Sequence, residues 1–171
     1  QMCIRDSYLN ALRQRRTAFK AAGATATDHA ITEIHTEHVS DTDMQALLQK
    51  AMQAPLGHAE ATRFYGRMLT EMALMSVDDG LVMQIHAGSY RSTNDVIFQK
   101  FGNDMGADIP IAVDWVRGLQ PLLNKVGNNP DLTIILFTLD ETTYARELAP
   151  MAGHWPCLRL GPPWWFHDSL N

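Results

Sequence analysis

Apolar positions in this chain follow two rhythms that alternate from end to end. Leu9, Leu12 and Phe19, with Arg16 in the same series, recur at helical spacing, which predicts an amphipathic helix over 8–22 stopped by Gly23. A short β-capable run over 24–27 follows and delivers Asp28 and His29 at its end. Residues 30–39 are polar and rich in histidine, and Ser40 with Asp43 has the form of a capping box that starts a helix carrying Met44, Leu47, Leu48 and Met52. Pro55 and Gly57 break that helix. Over 59–76, Phe64, Met68, Met72 and Met75 share one helical face, as core packing requires.

Gly80 then opens the near-continuous apolar run 81–85, the pattern of a strand buried on both faces of a parallel sheet, which closes in His86. A polar strand-end loop, Ala87 to Arg91, leads through Phe101, Gly102 and Gly106 to a helix over 113–126. Asn128, Asn129 and Pro130 make a turn into 132–138, the clearest strand in the chain. Asp140 caps a helix running through 149, and 158–161 is the last strand. Strands alternating with helices of this length predict an α/β fold of repeated βα units around a right-handed parallel sheet. No domain boundary, low-complexity tract or repeat interrupts it.

Composition narrows the function classes. With 171 residues, 46% of them hydrophobic, and a net charge of -5, the chain is globular and mildly acidic. Nucleic acid is not an expected partner, because a binder of phosphate backbones needs a basic stripe, and the cluster Arg13, Arg15, Arg16 reads as a solvated helix face. No apolar run reaches membrane-spanning length and no signal peptide opens the sequence, so no membrane partner is expected and the default compartment is the cytoplasm. Cys3 and Cys157 are far apart without CxxC spacing, and both read as free thiols. Residues 1–7 show no apolar periodicity and read as a truncation or assembly junction.

Candidate chemistry gathers where strands end. Leu158 to Leu160 breaks into Gly161, Pro162 and Pro163, so the strand must stop there and place Trp164, Trp165, His167 and Asp168 on its C-terminal loop. Asp28/His29, His86/Arg91 and His167/Asp168 each close a strand, and in a parallel sheet those ends converge on the face where ligands bind. His35 and His38 sit in a polar segment and read as solvent-exposed. HExxH, P-loop, GxGxxG and Gly-x-Ser-x-Gly patterns are absent, which leaves zinc peptidase, NTPase, dinucleotide and serine hydrolase readings without support.

Three segments in this order carry a resemblance: Thr27-Asp28-His29; Gln84-Ile85-His86-Ala87-Gly88-Ser89-Tyr90-Arg91; and Leu160-Gly161-Pro162-Pro163-Trp164-Trp165-Phe166-His167-Asp168. Across 8–169 the chain resembles the uronate isomerase (glucuronate isomerase) family of the amidohydrolase superfamily, departing at Ala30, where the family favours Gly. The resemblance implies a distorted (β/α)₈ TIM-like barrel that interconverts D-glucuronate with D-fructuronate and D-galacturonate with D-tagaturonate. It also implies a divalent metal, typically zinc, and a small sugar-acid substrate; a homo-oligomer is one candidate state, which the sequence does not fix. By position, His86 would be a metal ligand and Arg91 would face the sugar carboxylate or hydroxyls, with Trp164 and Trp165 walling the pocket. Asp168 and the Asp28/His29 pair would be candidates for hydroxyl contact or proton transfer. The family's His-x-His and its last-strand Asp, the main metal ligands, are not found here. The expectation is therefore a partial barrel over 8–171, about strands four to seven, inactive by itself. Two alternatives stand beside it: a metal-dependent hydrolase of the same superfamily, and a non-catalytic α/β module that binds a sugar acid.

Overall fold

A computed structural model describes residues 4–106 and 108–162. Among these residues, six strands and the helices between them occur in the order α1 (Ile4–Ala21), β1 (Ala26–Ile31), α2 (Asp41–Ala51), α3 (His58–Asp79), β2 (Val82–Ala87), β3 (Ser89–Tyr90), α4 (Asp95–Phe101), β4 (Ile109–Pro110), α5 (Trp115–Val126), β5 (Ile134–Thr138), α6 (Glu141–Thr143), a π-helical turn (Tyr144–Leu148), α7 (Ala149–His154) and β6 (Leu158–Leu160). The expected βα alternation holds. β1, β2, β5 and β6 form one parallel sheet in that order, so each strand lies beside the next long strand in sequence and every connection crosses over through helices.

The local signals act as the chemistry of caps predicts. Ser40 accepts from the Asp43 N–H at the start of α2, Asp140 accepts from Thr142, and Gly80 ends α3 in the left-handed region at φ 74°. Two boundaries move. The first helix begins at Ile4, with Arg5 bridging Asp6 and Asp41, so residues 4–7 are helical. The first strand runs through Ile31, placing Asp28 and His29 inside it and not on the loop beyond.

Among the described residues, helices cover one face of the sheet. In β2, Met83, Ile85 and Ala87 are buried while Val82, Gln84 and His86 are partly buried; in β5, Ile134, Leu136 and Thr138 are buried while Ile135 and Phe137 are partly buried. The run 81–85, expected to be buried on both faces, is fully buried on one and partly buried on the other. Leu69 and Ala73 of α3, Leu119, Leu122 and Leu123 of α5, and Leu148 pack on one side of the pleat, and alternation turns the remaining side chains to the other. A second cluster, Leu9, Val39, Met44, Leu47, Met68 and Met75, joins α1 and α2 to α3 and absorbs the methionine face. Arg67, buried within that layer, binds Glu71, Asp41 and the Val39 carbonyl.

Candidate functional site

On the open face of the sheet, register decides which side chains meet. Asp28 lies opposite Gln84, and His86 lies opposite Ala30 on β1 and Phe137 on β5. Residues two apart share a face, so Asp28 and His86 stand diagonally on neighbouring strands. Nδ1 of His86 is 2.6 Å from Oδ1 of Asp28. The imidazole stacks on the Phe137 ring, with centroids 4.2 Å apart and planes 14° from parallel. Phe137 in turn lies over Gly161, where any Cβ would overlap its ring. A row of four strands thus gives carboxylate, imidazole, aromatic ring and bare backbone.

This arrangement holds one tautomer. Accepting at Oδ1, Asp28 favours a proton on Nδ1 and leaves Nε2 as the basic nitrogen, while stacking fixes the ring plane. The His86 side chain is 12% exposed and Asp28 is 67% exposed, so the carboxylate stays solvated.

His29 does not join them. It follows Asp28 directly and so points to the opposite face of β1, where its Nε2 is 3.0 Å from the Thr27 hydroxyl. Burial, with a smaller push from the Arg16 charge, brings its pKa down to about 4. The pair Asp28/His29 is therefore split by the pleat: the structure brings Asp28 to His86 and His29 to the helix layer.

Arg91 arrives from beyond β2. Gly88 turns the chain at φ 92°, and a Cβ there would sit 2.8 Å from Val113 Cγ2, so only glycine suits the corner. The turn leads into β3, paired antiparallel with β4, a small ribbon where the polar sequence predicts a loop. Arg91 Nη1 is 3.3 Å from both Asp104 and Asp108, and Asp108 also accepts from the Ser92 N–H at 2.8 Å. Arg91, His86, Ser89 and Ala30, Ile31 and Thr32 line one cavity of about 130 Å³.

Trp164, Trp165 and Asp168 lie outside the described residues. Asp108 and Phe137 were missed by sequence reasoning. Phe137 carried a usable signal, since it stands in phase with Ile135 on an alternating strand; Asp108 carried none, because its role depends on the ribbon's fold. Among the described residues, no three His, Cys, Asp or Glu side chains gather as a metal-ligand set, and no helix is long and apolar enough to cross a membrane.

Comparison with known proteins gives a consistent result. A family model described as glucuronate isomerase matches residues 2–171. Uronate isomerase of Phenylobacterium zucineum is 56% identical over 164 residues, covering 96% of this chain and 34% of that protein. The one from Nostoc punctiforme is 48% identical, covering 96% and 35%. Among solved structures, glucuronate isomerase from Caulobacter crescentus superposes with a TM-score of 0.92 at 55% identity over 95% of this chain and 34% of that one. Uronate isomerase from Thermotoga maritima gives 0.89 at 31% identity, over 96% and 36%. The chain spans about a third of the length of the relatives it matches.

Proposed function

The chain belongs to the glucuronate isomerase family, and from that premise we propose that it is part of an enzyme that isomerises hexuronates between aldose and ketose forms, D-glucuronate with D-fructuronate and D-galacturonate with D-tagaturonate. Its parallel sheet is an arc of that family's TIM-like barrel. We read 8–171 as one part of a metal-dependent-hydrolase-type barrel, about strands four to seven, with the open sheet face turned to the barrel interior.

The observation that carries the reading is the Asp28–His86 pair, 2.6 Å apart and stacked on Phe137, beside a cavity that Arg91 also lines. Aldose–ketose exchange moves a proton between adjacent carbons through an enediolate. It needs a group that takes and returns that proton, and positive charge to hold the sugar acid. His86 supplies an imidazole whose tautomer Asp28 fixes. Arg91 supplies a planar donor suited to a carboxylate, held in place by Asp104 and Asp108. His29, neutral and turned to the helix layer, takes no part. Trp164 and Trp165 as pocket walls and Asp168 as a hydroxyl contact remain part of the proposal.

A divalent metal, zinc in the first instance, fits this chain only partly. Taken as a ligand in place of that proton role, since Nε2 cannot serve both, His86 backed by Asp28 has the form of a single ligand with its orienting carboxylate, but the described residues offer no third donor, so no step is derived through a metal. Cytoplasmic location and self-association complete the proposal. The experiment uses the protein at the length of its relatives: uronate turnover, with thermal melts, for the natural protein and for His86→Ala and Asp28→Asn. Turnover should fall by about 100-fold or more for His86→Ala, with melting temperature little changed. Undiminished turnover in both variants would refute the site.

A further inference from the structure

Among the described residues, the buried hydroxyl of Ser89 has no hydrogen-bond partner. The residue is 5% exposed, and its Oγ is one of two buried side-chain polar atoms without a hydrogen-bond partner among the described residues. The other, Trp115 Nε1, belongs to the apolar core under the helices. Ser89 instead lines the cavity of about 130 Å³ that it shares with His86 and Arg91.

The backbone gives the hydroxyl no escape. The Gly88 N–H donates to Ile31 at 3.2 Å, and the Gly88 carbonyl accepts from the Ile111 N–H at 2.9 Å, pinning the residue just before Ser89 from both sides. Tyr90, next along β3, is 55% exposed, so alternation turns Ser89 inward. An alanine would fill this position without leaving a polar atom stranded. Burying an unpaired hydroxyl costs stability, and such costs gather where a ligand completes the bond.

Resting on the uronate reading, we propose that Ser89 is a substrate-binding residue whose hydroxyl donates to the sugar-acid carboxylate that Arg91 also holds. A cavity of about 130 Å³ is room for about four waters at their liquid volume of about 30 Å³ each. That suits a carboxylate and its neighbouring carbon, with the remaining sugar outside. Hydroxyl and guanidinium together form an anion-recognition pair, and a hydrogen bond to a charged group is among the stronger ones.

The test compares natural protein, Ser89→Ala, Arg91→Lys and the double variant, at the length of the relatives, in D-glucuronate turnover and melting temperature. Ser89→Ala should raise KM about 10-fold, hold kcat within about 2-fold and leave the melting temperature equal or higher, because a stranded hydroxyl has gone. The double variant should raise KM by less than the product of the single effects, since both residues hold one carboxylate. An unchanged KM in Ser89→Ala, with Arg91→Lys impaired, would overturn the Ser89 assignment and leave the site standing. A lowered melting temperature with unchanged KM would make Ser89 structural, and strictly multiplicative effects would put its bond on another group. If the natural protein turns over no uronate, or Arg91→Lys and His86→Ala both match it, the functional reading falls and takes Ser89 with it.

Discussion

His29 offers a measurement that separates the two faces of β1. Its ring is neutral at pH 7 because burial, aided by Arg16, lowers its pKa from 6.5 to about 4. In the unfolded chain the same ring titrates near its ordinary value, so between about pH 6.5 and 4 the unfolded state binds more protons than the folded one. The contribution is therefore complete above about pH 6.5, is lost as pH falls toward 4, and changes no further below. A gap of about 2.5 pH units at about 1.4 kcal/mol each caps the loss at about 3.5 kcal/mol. The ring keeps partial solvent contact, which trims the expected value to about 2 kcal/mol. Urea unfolding of natural protein and His29→Gln across pH 7.5 to 4.5 reads this directly, because all other titrating groups are common to both and cancel in the difference. The imidazole proton resonances give the ring's own titration. A difference curve flat with pH, or a ring that titrates near 6.5, would show that His29 is solvated and that its separation from Asp28 is wrong.

Three further outcomes follow from close contacts. Gly161→Ala should cost about 1–3 kcal/mol by driving its Cβ into the Phe137 ring, and should shift the His86 ring resonances in a two-dimensional spectrum as the stack moves; an unshifted His86 would uncouple the row. Arg67→Met should cost about 3–5 kcal/mol by leaving Glu71 charged and buried, and adding Glu71→Leu should recover most of that in denaturant melts, a result that fails if the pair acts through more than its charges. The Cys157 thiol, pushed up to about 11 by burial, should resist iodoacetamide at pH 8 in the native protein and react once denatured, as mass spectrometry would show.

Much of the architecture was legible because periodicity and caps are local. Ser40, Gly80 and Asp140 act within three or four residues, so their roles could be read without tertiary knowledge. Strand ends were less legible. The first strand continues through Ile31 because each of its residues from Ala26 pairs with β2, and pairing depends on a partner more than fifty residues away. The β3–β4 ribbon escaped for the same reason: Ser89 and Pro110 carry no strand pattern until the loop between them folds back.

The site shows the limit more sharply. Treating polar residues as strand-end groups selects His86 and Arg91, which line one cavity, but it takes Asp28 and His29 as one unit because they are adjacent in sequence. In a strand, adjacency means opposite faces, and residues two apart on neighbouring strands are the ones that touch. The pleat thus assigns the two side chains different solvents. Asp28, on the face turned from the helices, lies largely in solvent and reaches His86; His29, on the helix side, loses its charge to burial. The same parity places Phe137 beside His86 and Ile135 beside Gln84. Once register is known, the polar cluster follows from counting by twos, and the sheet face that the described helices leave uncovered is the one on which the chemistry of a barrel interior would be built.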